Sequence, residues 1–183
     1  MLQENGLAKE LLIKLRDRKK AMQKDVMPSL DEFTSLPRFP DGRINYTGAK
    51  KAAVLLCAVK HDDKILLLKR SDKVGNYRGK WNLVAGFLDQ PRPVREKVLE
   101  EIREELGLSE EQINDITVVE PFEYHDATVQ KTWLIYPALV TLKGKPEIKL
   151  DWEHSEYAWI LPQDITKYDF VTGLDETIKR MTR

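Results

Sequence analysis

The chain has 183 residues, and its 30 Lys and Arg balance its 30 Asp and Glu, so the formal net charge is zero. This balance removes the electrostatic case for a nucleic acid or membrane partner, and the single cysteine excludes an internal disulfide. No stretch predicts a membrane span or a secretion signal, so we expect a cytoplasmic protein with one domain and an extension.

Residues 5–23 predict an amphipathic helix, because Leu7, Leu11 and Leu15 recur at helical spacing opposite a basic face. This helix either packs on its own domain or acts as a dimer arm or ligand-closing element, so a homodimer stays open. Residues 27–48 are rich in proline and glycine and predict a connector. We therefore divide the chain into an N-terminal helix and connector, 1–48, and a main domain, 49–183.

The main domain is predicted to begin with strands. Residues 51–60 are mostly apolar and predict a buried strand, and residues 64–69 predict its hairpin partner. A short strand follows at 81–85. Further strands are predicted at 116–119, 131–141 and 157–161.

A helix is predicted from Pro93 to Leu106, because Pro93 suits a first turn and Gly107 suits a helix end. Its apolar stripe would pack on a sheet, and a terminal helix is predicted at 175–181. Interleaved strands and helices predict an α/β or α+β fold.

Three carboxylates fall on one face of the predicted helix, namely Glu101, Glu104 and Glu105. Crowded acids repel one another unless a positive charge neutralises them. Hard divalent cations prefer oxygen ligands, so this face predicts a Mg²⁺ site that Mn²⁺ could also occupy.

The stretch 86–108 resembles the Nudix box of the Nudix hydrolases. Matching positions are held by Gly86, Glu101, Ile102, Glu104, Glu105, Gly107 and Leu108. Two positions depart from the pattern, because Arg92 stands where the family has Glu and Glu100 stands where it has Arg. Either this pair still attracts with its signs exchanged, or the site has been altered.

The resemblance implies an α/β/α sandwich with a mixed sheet between helices, and Mg²⁺-dependent hydrolysis of a diphosphate linkage. In the family's pattern, Glu101 and Glu105 would be direct metal ligands, Glu104 a ligand or the base, and the Ala85 carbonyl a further ligand. Nudix enzymes often take another acid from a later loop, and here Glu153 is a candidate catalytic residue.

The implied partner is a small-molecule nucleotide, such as ADP-ribose or another nucleotide sugar. Arg70 and Arg78 are candidates for phosphate contacts, and Phe87 is a candidate for stacking on a nucleobase. Tyr77, Trp81 and Tyr124 are further aromatic candidates, and the alternative role for Trp81 and Phe87 is packing in the core.

Two other functions stay open. Because of the exchanged charges, the chain could instead be a catalytically weakened, Nudix-like regulatory domain that binds a nucleotide. An isoprenoid diphosphate isomerase would need a reactive cysteine, whereas Cys57 lies in an apolar run.

Overall fold

The computed structural model of the protein describes residues 26–182, so the predicted helix at 5–23 lies outside the described residues. The described part contains one sheet of eight strands, two α-helices and three short 3-10 turns. The strands are β1 (Lys51–His61), β2 (Lys64–Arg70), β3 (Trp81–Asn82), β4 (Val84–Phe87), β5 (Ile113–Val118), β6 (Phe122–Asp126), β7 (Lys131–Leu142) and β8 (His154–Ile160). The helices are α1 (Val94–Leu106) and α2 (Leu174–Met181), and the 3-10 turns are Asp31–Phe33, Glu110–Gln112 and Pro162–Lys167.

Strand β1 organises the sheet, because β2, β4 and β7 all pair with it. It runs parallel to β7 and antiparallel to β2 and β4, so the sheet is mixed. Its turn to β2 passes through Asp62, whose positive φ of 54° suits a tight connection. The predicted hairpin and the predicted mixed sheet are confirmed.

The two helices cover opposite faces of the sheet. Alternate residues of β1 point to opposite faces, so Leu55 and Cys57 join the core under α1, whereas Ala58 joins the core under α2. Helix α2 contributes Ile178 and Met181 to that second core. The predicted α/β/α sandwich is therefore confirmed.

Strands β5 and β8 each begin three residues earlier than predicted, and two further details of the sheet differ from the sequence prediction. The strand predicted at 81–85 is divided at Leu83, so that β3 pairs with β2 while β4 pairs with β1. Strand β6 was not predicted, although Phe122 and Tyr124 alternate with polar residues; the strand has only five residues, and both rings are only partly buried. Its structure comes from pairing with β7.

The connector packs into the domain. Phe33, Ile44 and Tyr46 are buried in the core under α1, and the Ile44 N–H donates to the Asp89 carbonyl at 2.9 Å. These contacts add residues 26–48 to the packed structure, while the predicted boundary between 48 and 49 stays a prediction. Across residues 26–182, no helix combines the length and apolar character needed to cross a membrane.

Candidate active site

Helix α1 is fixed by its apolar face and by its C-terminal end. Val98, Ile102 and Leu106 are fully buried against the sheet. Gly107 ends the helix with a φ of 68°, a conformation that glycine adopts without strain, and its N–H donates to the Arg103 carbonyl. This packing turns Glu101 and Glu105 toward β4 rather than toward solvent.

Glu105 is almost fully buried, with 4% of its surface exposed. Its Oε1 accepts a hydrogen bond from the Ala85 N–H at 3.3 Å, while its Oε2 is buried without a hydrogen-bond partner. The His154 Nε2 lies 3.7 Å from this oxygen, beyond hydrogen-bonding distance. Burial, followed by the nearby charge of Glu101, raises the pKa of Glu105 well above its ordinary range.

Glu101 lies against the backbone of β4 at Gly86. A Cβ atom at position 86 would stand 2.0 Å from the Glu101 Oε1, so only glycine leaves room for this carboxylate. Burial raises the pKa of Glu101, and a hydrogen bond from the Lys97 ammonium opposes that shift. The first glycine of the box, Gly86, therefore has a direct steric role beside the acidic face.

A chain of alternating charges joins Arg92, which precedes α1, to three residues of that helix. Arg92 Nη1 contacts Glu100 Oε2, Lys97 Nζ lies 2.8 Å from Glu100 Oε1, and the same Nζ contacts Glu101 Oε1. The hydrogen bond from Arg92, aided by the one from Lys97, lowers the pKa of Glu100 to about 2. The exchanged charges at positions 92 and 100 therefore still attract each other.

A cavity of about 490 Å³ opens beside this helix. Its acidic lining residues include Glu101, Glu104 and Glu153, and its basic ones include Arg70 and Lys97. Ala85 and Gly86 from β4 also line it. Of the predicted metal-site and catalytic residues, all except Glu105 line this cavity. Glu105 lies beside it through its contact with Ala85.

The predicted phosphate contacts differ in placement. Arg70 lines the cavity, and its Nε donates to the Asn76 carbonyl at 3.0 Å. Arg78 is not a lining residue, and its Nε donates to the Val74 carbonyl at 2.7 Å. Both roles stay predictions.

Aromatic rings form part of the cavity wall. Phe87 is 45% exposed, stacks on Tyr46 with ring centroids 5.5 Å apart, and lies 6.4 Å from the Trp133 ring. Phe87, Trp133 and Tyr77 line the cavity. Trp81 instead packs edge-on against Tyr168 under the opposite face of the sheet.

Several polar or aromatic lining residues were not singled out from the sequence, among them Arg43, Asp89, Lys97 and Trp133. Lys97 carries a signal that could have identified it, because it precedes Glu100 by three residues and Glu101 by four, the spacings at which helical side chains meet. Arg43 carries no such signal, since it belongs to the connector and reaches the cavity only through tertiary packing.

The predicted metal ligands have the chemistry that a hard divalent cation requires, although Lys97 contacts one of them, Glu101. Among residues 26–182, no three His, Cys, Asp or Glu side chains already form a metal-binding cluster. The buried Glu105 Oε2 nevertheless lacks a partner, which is costly for a polar atom and which a cation would relieve. The acids offer only oxygen donors, as Mg²⁺ prefers.

Cys57 gives no support to an isomerase. Its side chain is fully buried, and burial raises the pKa of its thiol far above the ordinary value. A thiol in that state is neither accessible to a substrate nor ionised at neutral pH.

Comparison with known proteins gives a consistent result. The NUDIX domain family model matches residues 49–181. Nucleoside triphosphatase NudI from Escherichia coli O139:H28 (strain E24377A / ETEC) is 27% identical over 139 residues, which cover 71% of this chain and 96% of that relative.

Solved structures of similar fold include a MutT NUDIX hydrolase from Burkholderia pseudomallei, with a TM-score of 0.57 and 24% identity over 72% of this chain and 98% of that one. The NUDIX domain of Shewanella oneidensis NrtR, solved in complex with ADP ribose, has a TM-score of 0.58 and 15% identity over 84% of this chain and 96% of that one. At these identities the likeness concerns the fold.

Proposed function

Because this chain belongs to the Nudix family and is therefore a pyrophosphohydrolase acting on phosphoric anhydrides, we propose that it hydrolyses a diphosphate linkage in a nucleoside diphosphate derivative with the help of Mg²⁺. A nucleotide sugar such as ADP-ribose is the substrate class that we favour. The observation that carries this proposal is the buried, unpartnered Glu105 Oε2 beside a cavity that carries acids, cations and aromatic rings.

The proposed metal site consists of Glu101, Glu105 and the carbonyl of Ala85, and Glu104 is either a further ligand or the base. A bound divalent ion would neutralise charge on the phosphate oxygens and lower the pKa of a bound water. The chain's task is to hold these oxygen donors rigidly, and the buried stripe of α1 supports that role.

The attacking water needs a proton acceptor within reach of the phosphorus. Glu104 is exposed and Glu153 is half-buried, and both line the cavity, so either can accept that proton without first leaving a fully buried position. We propose Glu104 as the base and Glu153 as the second candidate. Arg70 would then balance charge on the substrate's phosphates.

The aromatic wall supports a nucleotide over a simple phosphate ester. Phe87 is exposed on one side while Tyr46 supports its ring on the other, so a nucleobase can stack on a surface that is already ordered. The NrtR domain, solved with ADP ribose, is a neighbour in fold and supports the choice of a nucleotide sugar in the panel below.

The test is a hydrolysis assay against nucleoside diphosphate sugars, dinucleotides and nucleoside triphosphates, with Mg²⁺ or Mn²⁺. Glu104→Gln and Glu105→Gln are assayed beside the wild type, because each replaces a carboxyl group by an amide of nearly the same size. We expect turnover of a nucleoside diphosphate sugar that disappears in both variants. Turnover that survives in both would refute the proposed site.

A second function is favoured by one contact, that of Lys97 with Glu101, which neutralises a proposed metal ligand. A catalytically weakened domain that binds a nucleotide would show thermal stabilisation by the ligand without turnover. The same panel, followed by thermal melting, separates the two functions.

A further inference from the structure

Lys97 occupies a specific position within the acidic face. Only 11% of its side chain is exposed, its ammonium contacts both Glu100 and Glu101, and it lines the cavity. A Cβ atom at position 86 would lie 2.9 Å from the Lys97 Cε, so the stem of the lysine packs closely on the β4 backbone. Packing on one side and two carboxylates on the other therefore hold the ammonium in place.

This position depends on the exchanged charges. Glu100 supplies the second carboxylate for Lys97, and Arg92 contacts the other oxygen of Glu100. An arginine at position 100, as in the family's pattern, would repel the ammonium instead of holding it. The departure from the pattern thus creates an anchor for a lysine next to Glu101.

We infer that Lys97 is an internal cation of the metal site, and that a divalent ion must displace its ammonium from Glu101 in order to bind. The inference rests on the proposed metal-dependent function. A carboxylate that is largely removed from water and already paired with a cation offers a second cation less free energy than an unpaired one. Lys97 therefore weakens metal binding and sets the metal concentration at which the site fills.

Displacement need not expel the lysine from the site. Glu100 lies on the same helix, three residues from Lys97, and contacts the ammonium directly, so we expect this contact to persist when Glu101 binds a metal. Lys97 is thus a positioning residue that acts through Glu101, and its removal should change metal affinity directly.

The test is a direct Mn²⁺ titration, followed by the electron paramagnetic resonance signal of free Mn²⁺ or by calorimetry, without substrate. Lys97→Met keeps the length and apolar stem of the side chain but removes the charge. Lys80→Met is the matched control, because Lys80 forms a 2.6 Å ion pair with Asp169 and does not line the cavity. Lys97→Arg retains the charge.

We expect Lys97→Met to bind Mn²⁺ roughly tenfold more tightly than the wild type. Lys80→Met should bind Mn²⁺ within about twofold of the wild type, and Lys97→Arg should stay closer to it than Lys97→Met. Thermal melting provides a second measurement if Lys97→Met folds poorly, because Mn²⁺ should raise the melting temperature of this variant more than that of the wild type.

Equal or weaker Mn²⁺ binding by Lys97→Met, with normal binding and hydrolysis by the wild type, would overturn the inference and leave the proposed function standing. Failure of all four proteins to bind Mn²⁺ would overturn both.

Discussion

Arg92 and Glu100 form an ion pair whose signs are the reverse of those in the Nudix box, and each side chain is about one quarter exposed (26% and 25%). The attraction between positions 92 and 100 is thus retained while the identities are exchanged. The exchange does change the surroundings of the pair, because the Glu100 carboxylate now precedes the other acids of α1 and also contacts the Lys97 ammonium.

Reversing both charges tests whether the exchange has altered catalysis. Each single variant, Arg92→Glu or Glu100→Arg, places like charges together and should lower stability by about 1–3 kcal/mol. The double variant restores attraction, so we expect its kcat/KM to lie within about tenfold of the wild type. The measurements are steady-state kinetics and thermal melting of all four proteins. A gain in kcat/KM of a hundredfold or more in the double variant would show that the natural pair impairs catalysis.

Gly86→Ala tests the close approach of Glu101 to β4. The added methyl would meet the Glu101 Oε1 at 2.0 Å, so this carboxylate must move away. A displaced ligand should reduce kcat/KM by about a hundredfold. Gly75→Ala is the matched control, because Gly75 also lines the cavity and its added methyl would meet nothing within 4 Å. Equal activity of the two variants would contradict the proposed role of Glu101.

Phe87→Ala tests the aromatic wall. Loss of a stacking surface should raise KM about tenfold with little change in kcat, because the ring binds the substrate without touching the reacting phosphorus. Trp152→Ala removes a ring that is 59% exposed and does not line the cavity, so its kinetics should match the wild type. A fall in kcat alone in Phe87→Ala would contradict a stacking role.

Asp126→Asn tests how the segment between β2 and β3 is held beside the cavity. Asp126 accepts hydrogen bonds from the Tyr77 hydroxyl at 2.6 Å and from the Thr128 N–H at 2.8 Å. Burial alone would raise the pKa of Asp126, but the hydrogen bonds from Thr128 and Tyr77 outweigh burial and hold the pKa below 3.8. A lowered folded-state pKa stabilises the fold above pH 3.8, and this contribution disappears as the pH falls through the lowered value.

We therefore expect Asp126→Asn to lose about 1–3 kcal/mol at neutral pH, and to differ less from the wild type as the pH falls below the ordinary aspartate value. Chemical denaturation across a pH series measures this difference. Asp63→Asn, in the exposed turn between β1 and β2, serves as the control. A stability difference that grew on acidification would contradict the assigned role of Asp126.

Sequence patterns predicted the elements whose ends and buried faces are determined by their own residues. Helix α1 was predicted to within one residue, because Pro93, the apolar stripe and Gly107 define its beginning, its face and its end. Strand β6 was missed, because two aromatic residues alternating over five positions are a short signal, and the strand forms by pairing with β7.

The candidate site divides in the same way. The carboxylates on α1 were predicted from helical spacing and from a resemblance, and the structure places Glu101 and Glu104 at one cavity. The contribution of Arg43 could not be predicted, since nothing near it in the sequence indicates that the connector crosses to that cavity. The contact between Lys97 and Glu101 could have been predicted from their separation of four residues on a helix. The burial of these two side chains could not, because it depends on how closely α1 approaches β4.

Because the connector packs into the domain, an intact pocket requires residues of the connector as well as those of the main domain. Residues 49–182 transplanted alone would carry the acidic helix, yet they would leave behind Phe33, Ile44 and Tyr46 from the core and Arg43 from the pocket wall. Phe87 would also lose the ring that supports it. A segment that preserves the whole pocket therefore starts upstream of residues 49–181, and substitutions in the connector change the pocket wall while the acidic helix stays unchanged.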